Sequence, residues 1–290
     1  MDFDKNGLVY LARNLRGNKL KDYKKVLEPF NQKQRDIIVG TLLGDCTIRN
    51  SKNKGLLTYR LKWHQKLESY IYVNSIYEDF SSYVGTPPKI SRNFNKKTKK
   101  TYYSIYLETY IHEFISLYAT IFYFTDETNE NKWTKKVPFN IEVLLTPRAL
   151  AYWFMDDGSR QGYSSYILCT DNFTKKDIEF LIETLRKRYG LVCKVFFHNG
   201  YPRIRIQSQS VIAFNKVVQP YIHSIFQYKI IPREELKGYY AMKVPELRAL
   251  CKSRKIVRCS GLRKQSIIGL LKEYDLKQIL LSLNYKALSC

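Results

Sequence analysis

Two acids, Asp45 and Asp157, each end an apolar run: "IIVGTLLGDCTIRN" over 37–50 and "ALAYWFMDDGSR" over 149–160. Both runs read as helices, so each acid falls at a C-terminal end, where the helix dipole is already negative. If the two helices lie side by side, the acids meet and repel each other unless a cation binds between them. Gly40 and Gly44, four residues apart, allow one helix backbone to approach its neighbour closely. The fitting cation is a hard divalent ion such as Mg²⁺, which prefers oxygen ligands and keeps some of its waters. Such ions, bound to a phosphate, activate water for in-line attack and stabilise a leaving 3′ oxygen.

A lysine recurs as well. Lys135 stands three residues before Pro138 and Lys229 three before Pro232, so acid and lysine appear in the same order in both halves. A lysine at such a centre stabilises developing phosphorane charge or positions the water. The expected catalytic residues are Asp45, Asp157, Lys135 and Lys229, and the expected metal set is Asp45 and Asp157 with Gly44 and Asp156 beside them, holding two or three divalent ions. An acid after a single apolar helix is ordinarily a solvent-facing helix end. Two copies in repeated context with matching lysines argue against that.

The elements that must position these residues also repeat. After the first run, "LLTYRLKWH" alternates Leu57, Tyr59, Leu61 and Trp63 with Thr58, Arg60, Lys62 and His64, the pattern of a half-buried strand with a basic, polar face. A helix-like segment over 66–82, "PPKISRNF", the basic turn "NKKTKK", the strand "TYYSIYLET" and a helical "YIHEFISLYATIF" follow. After the second run come the strand "SSYILCT", an amphipathic helix "TKKDIEFLIETLRKRYG" closed by Gly190, and two strands, "VCKVFFH" and "YPRIRIQS", around the hairpin signal Asn199-Gly200. There Arg203, Arg205 and Gln207 share one face and Ile204 and Ile206 the other. Each half thus carries a sheet with one greasy and one cationic or polar face.

Length and composition limit the function classes. With 290 residues the chain buries a full core, and 44% hydrophobic residues with 24 Tyr and 15 Phe mark a folded protein. The 49 Lys and Arg against 26 Asp and Glu leave a formal charge of +23 and a pI near 9.6, which favours a polyanionic partner. No apolar run spans a bilayer, and the basic residues alternate along strands and do not form one helix face, so no membrane partner is expected. Six scattered cysteines without a C-x-x-C pair, and four histidines without ligand spacing, point to reduced intracellular thiols and no zinc site.

The two runs, "IVGTLLGDC" (38–46) and "LAYWFMDDG" (150–158), resemble the two motifs of a single-chain LAGLIDADG homing endonuclease of the intron-encoded, organellar type, and the likeness extends over about 33–232. The resemblance implies an α+β fold: a pseudo-twofold pair of αββαββα repeats whose two antiparallel sheets form a DNA-binding saddle in the major groove. It further implies that Asp45 and Asp157 bind the catalytic metals and that Lys135 and Lys229 are the partner lysines, in a monomer with internal pseudo-dimer symmetry that cuts both strands. Tyr152 and Asp156 stand where the family name has Gly and Ala, Cys46 stands for a Gly, and Lys136 beside Lys135 leaves the lysine open by one residue. The outward-facing residues expected on double-stranded DNA are Arg49, Arg60, Lys62, His64, Arg92, Lys96, Lys97, Lys99, Lys100, Arg160, Lys194, Arg203, Arg205 and Gln207.

The expected division is an extension over 1–32, a first repeat over 33–138, a second over 139–235, and a small module of short helices over 239–290 with eleven Lys or Arg against three Asp or Glu. Within it, 243–274 resembles a SAP motif, a small DNA-binding helical hairpin. The expected activity is site-specific, Mg²⁺-dependent double-strand cleavage of a long DNA target in the service of intron homing. The alternatives are an intron maturase that binds intron RNA and a cleavage-inactive DNA-binding protein of the same fold. The expected compartment is intracellular, an organelle first, with virus-infected cytoplasm or the nucleus after it.

Overall fold

The computed structural model describes residues 15–53, 56–126, 129–162, 164–232, 238–240, 242–256 and 259–287. In chain order the first half holds α1 (Gly17–Lys25), α2 (Gln32–Leu43), β1 (Thr47–Asn53), β2 (Leu56–Lys66), α3 (Tyr70–Asp79), β3 (Lys89–Asn95), β4 (Lys100–Glu108), α4 (Phe114–Phe122), β5 (Tyr123–Asp126) and β6 (Asn129–Lys135). The second holds α5 (Ile141–Leu144), α6 (Pro147–Asp157), β7 (Gly158–Gln161), β8 (Ser165–Leu168), α7 (Lys175–Tyr189), β9 (Cys193–His198), β10 (Tyr201–Ile206) and α8 (Val211–Val218). After them come α9 (Val244–Ser253) and α10 (Lys264–Ala287).

Two four-stranded antiparallel sheets follow one plan, β1-β2-β4-β3 and β7-β8-β10-β9, and β5 with β6 forms a separate hairpin. This is the α+β pseudo-dimer that the motif repeat implies. The two motif helices are packed against each other and are buried on nearly every side: Ile37 to Leu43 in α2 and Ala149 to Met155 in α6 all belong to the core. Local chemistry fixes where each helix starts. Asn31 and Gln34 form a reciprocal capping box at 2.9 Å in both directions, and Thr146 accepts from the Ala149 amide at 3.1 Å with Pro147 at the first helical position. These caps set the register that delivers the acids to the far end.

Three features differ from the sequence expectation. The strands β1 and β7 and the β5–β6 hairpin lie outside the read elements, because "TIRNSKN" and "GSRQ" carry little apolar alternation and pair along sheet edges through their backbone. The segment after Glu108 stays with the sheet before α4 begins, since Thr109 and Tyr110 donate their amides to Leu61 and Tyr83 at 3.0 and 2.7 Å. The C-terminal module contains one helix of 24 residues, α10, where short helices were expected; nothing like a proline interrupts 264–287.

The chain divides into two compact units, one running through residue 161 and over 165–230, the other comprising 162–164 and the chain from 231 onward. The second unit has its own core of Leu247, Cys251, Cys259, Ile267, Ile268 and Leu271. Arg254 bridges to Asp275 at 2.8 Å and also donates to Tyr239. No helix among the described residues is long and apolar enough to cross a membrane.

Candidate active site

Close approach of α2 to α6 depends on the two glycines. A β-carbon on Gly40 would lie 2.2 Å from the Ala149 carbonyl oxygen and 2.7 Å from the Tyr152 Cβ, and one on Gly44 would lie 2.6 Å from the Asp156 Cβ. No real side chain fits there, so the helices meet backbone to backbone and their C-terminal ends gather Asp45, Asp156 and Asp157. Gly158 closes α6 under the Phe154 ring, where a β-carbon would be 2.0 Å away.

Electrostatics at the shared end follow from this crowding. Asp157 is half-buried, and burial first, then the Asp45 charge, push its carboxyl up to about 7 against the opposing pull of Lys135 and Lys229. Asp156 is raised well above the usual carboxylate range by burial first, then by the charges of Asp45 and Asp157, with the Tyr72 hydrogen bond opposing. Asp45 is exposed.

Each lysine ties back to the end of its own motif helix. Lys135 Nζ donates to the carbonyls of Gly44 and Cys46, both at 2.9 Å, and Lys229 Nζ donates to Met155 at 2.5 Å and Phe154 at 3.5 Å. A cation on the last carbonyls of a helix complements the dipole there. Burial is the main cause that lowers both lysines from their ordinary value, opposed by the nearby acids. Lys136 leaves this site: it lines a separate groove of about 620 Å³ with Ile121, Phe139 and Phe180. Of the two adjacent lysines, Lys135 is the one whose side chain reaches the end of α2.

Three residues at the centre were not anticipated. Gln65 Nε2 bridges Asp45 Oδ2 at 2.9 Å and Asp156 Oδ1 at 3.2 Å, and Tyr72 donates its hydroxyl to Asp156 Oδ1 at 3.0 Å. Asp171 lines a cleft of about 120 Å³ with Gly44, Lys135, Asp157, Thr170 and Asn172. The signal for Gln65 was present, because it continues the Leu61–Trp63 parity that faces the helices. Tyr72 and Asp171 give no comparable signal. Asp156, expected beside the metals, has both oxygens engaged by protein donors, its Oδ2 accepting from the Asp45 amide at 3.3 Å. The Gly44 carbonyl, also expected there, accepts from Lys135.

The expected DNA-facing residues divide by register. Arg49 lies opposite Arg60 and Thr47 opposite Lys62, with His64 opposite Tyr106, so Arg49, Arg60, Lys62 and His64 share one face; Lys100 and Tyr102 follow the same parity on β4. On that face Glu108 holds Lys62 at 2.9 Å and Arg60 at 3.6 Å, and His64 meets Ser104 at 2.8 Å. Lys96, Lys97 and Lys99 are exposed at the β3–β4 turn, where Lys99 adopts φ +54°. In the second sheet Lys194, Arg203 and Arg205 share a face, with Arg205 over the Phe196 ring at 3.8 Å and Arg203 in a two-pronged pair with Asp171 at 2.7 and 2.8 Å. Gln207 falls just past β10 and folds back on the Arg205 carbonyl at 3.4 Å. Arg92 opposite Tyr103 and Arg160 opposite the buried Tyr166 lie on the other faces of their sheets, an alternation that could be read only once register was known.

The donor chemistry fits a hard divalent cation. The carboxylates of Asp45 and Asp157 lie close enough for the charge of one to raise the other, at two helix ends of negative potential, and offer the oxygen donors such an ion prefers. Among the described residues no group of three or more His, Cys, Asp or Glu forms a cage. With Asp45 exposed and Asp157 lining the cleft, a cation held by the two would keep waters or a phosphate in the rest of its shell.

Comparison with known proteins points the same way. The model of the LAGLIDADG DNA endonuclease family matches residues 35–214. A probable intron-encoded endonuclease 1 of Wickerhamomyces canadensis is 30% identical over 218 residues, covering 73% of this chain and 90% of the relative. DNA endonuclease I-ChuI of Chlamydomonas applanata is 29% identical over 209 residues, covering 69% of this chain and 94% of the relative. The cytochrome b mRNA maturase bI2 of Saccharomyces cerevisiae is 26% identical over 223 residues, covering 75% of this chain and 52% of that protein. Among solved structures, the homing endonuclease I-WcaI bound to its DNA recognition sequence superposes with a TM-score of 0.66 at 28% identity, covering 79% of this chain and 98% of that one. With its repeated motif helices, paired acids and paired sheets, the chain belongs to the LAGLIDADG DNA endonuclease family.

Proposed function

We propose that this protein is a site-specific homing endonuclease that makes a double-strand break in a long duplex DNA target by hydrolysing one phosphodiester in each strand. The observation that carries the reading is the acid–lysine pair present twice at one junction: Asp45 with Lys135 and Asp157 with Lys229, each lysine anchored to the end of a motif helix. A relative named as a probable intron-encoded endonuclease, another named as a DNA endonuclease, and a DNA-bound structural neighbour support it.

In this reading Asp45 and Asp157 hold divalent metal, Mg²⁺ in the cell. When bound, the metal supplies an activated water and neutralises charge on the phosphate. Lys135 and Lys229, already desolvated, present cations toward the developing charge without the cost of stripping their water during the reaction. Gln65, hydrogen-bonded to Asp45, orients that carboxylate. The sheet faces bearing Arg49, Arg60, Lys62, His64, Lys194 and Arg205 contact the duplex, and Lys96, Lys97, Lys99 and Lys100 contact phosphate at the hairpin tip. The C-terminal unit adds further duplex contacts as a SAP-like hairpin.

The test separates binding from cutting. Asp45→Asn and Asp157→Asn abolish cleavage yet bind the target with affinity within a few-fold of the parent, because the acids add little to groove contacts. Cleavage at the parental rate by either variant overturns the assignment. A second reading, a splicing maturase acting on intron RNA in an organelle, is favoured by the bI2 maturase relative; specific retention of the host intron RNA over scrambled RNA tests it.

A further inference from the structure

The two halves of the site are built unequally. By sheet register Lys62 faces Thr47, and Ile167 faces Ser159, each two residues past a motif acid, so Lys62 and Ile167 occupy matching places. Three residues on, Gln65 of the first half corresponds to Thr170 of the second. Gln65 reaches Asp45, whereas Thr170 turns its hydroxyl to the Pro202 carbonyl at 2.8 Å. Among the described residues no side chain hydrogen-bonds the Asp157 carboxylate as Gln65 does that of Asp45.

Asp156 is the second departure from symmetry. Its counterpart in α2 is Gly44, and the two positions touch, with a β-carbon on Gly44 only 2.6 Å from the Asp156 Cβ. Space at this crossing allows one side chain, and it comes from α6. All three donors to that carboxylate come from the first half: the Tyr72 hydroxyl at 3.0 Å, the Gln65 amide at 3.2 Å and the Asp45 backbone N–H at 3.3 Å. A residue of the second helix therefore anchors the acid that ends the first.

We propose that Asp156 is a positioning residue which, through Gln65 and the Asp45 backbone, fixes Asp45 in its working geometry, so that the two DNA strands are cut at unequal rates through a nicked intermediate. The proposal rests on the endonuclease reading above. Asp45 is exposed, and its carboxylate rotates freely unless it is held; misplacing a reacting group by about 1 Å costs up to about a hundredfold in rate. Asp157 is confined by its half-buried cleft and does not depend on such a bridge. The pre-organised strand is cut first.

The experiment labels each strand of the target duplex separately and follows both cleavage rates in Mg²⁺ for the full chain, Asp156→Asn and Tyr72→Phe. Asn at 156 presents an N–H₂ to a site that needs an acceptor, and Phe at 72 removes one donor while keeping the ring, so the second variant stays folded if the first does not. The parent cuts one strand several-fold faster; both variants slow that strand by about tenfold and leave the other within about twofold, so the rates converge. Equal rates for the two strands in the parent, or equal slowing of both strands in the variants, overturns the proposal and leaves the endonuclease reading intact. No cutting of either strand by the parent would instead overturn that reading, and the proposal with it.

Discussion

At the scale of single residues, the site is a problem in placing like charges together. Burial and the neighbouring Asp45 hold Asp157 near 7, above the ordinary 3.8 of its side chain. Between those values the folded protein binds more protons than the unfolded chain, so stability falls as pH rises through the window. Metal-free protein should melt at progressively lower temperature from pH 4 to pH 7, and Asp157→Asn should flatten that slope, as calorimetry across pH would record. Saturating Mg²⁺ should flatten it too, by binding the carboxylate form. The acids were legible because each closes an apolar run, and Lys135 and Lys229 because each precedes a proline by three residues. Tyr72 was not, since a tyrosine on the buried face of α3 looks like any core aromatic until its hydroxyl is seen to meet Asp156.

Among the elements, the crossing of α2 and α6 is the structural centre. Their sequences show why: buried on nearly every side, they have no solvent face for a charged stripe, and their contact is set by Gly40 and Gly44. Gly40→Ala would force a methyl to within 2.2 Å of a carbonyl oxygen. The expected cost is about 1–3 kcal/mol, or more if the helices must part, with lost cleavage because the acids separate. Unfolding by urea, followed with cleavage assays, checks both effects. The strongly patterned elements, such as α7 with its Thr174–Asp177 box and Gly190 at φ +63°, could be read from the sequence. Edge strands β1 and β7 could not, because backbone pairing leaves little trace in side-chain pattern. Register explains the remainder: one residue of parity moves Arg92 and Arg160 from one sheet face to the other.

For the whole molecule, the charge of +23 implies binding that weakens steeply with salt. Replacing Lys96, Lys97, Lys99 and Lys100 with alanine should reduce the slope of log affinity against log salt by about one for each phosphate no longer neutralised, while leaving the cut position unchanged. A titration series from low to physiological salt measures it. The same charge is not uniform: Glu108 pairs with Lys62 and Asp171 with Arg203 on the faces proposed to meet DNA, and under that proposal both pairs open or are shared when the duplex binds. The central claim is metal-dependent hydrolysis at one junction of two acids, and cleavage of a randomised duplex library with and without Mg²⁺, followed by sequencing of the broken ends, tests it most directly. Breaks at one long site, with short 3′ overhangs and only when Mg²⁺ is present, are the predicted result. Cleavage undiminished in the presence of a chelator, or site-specific binding with no broken ends in Mg²⁺, would contradict it.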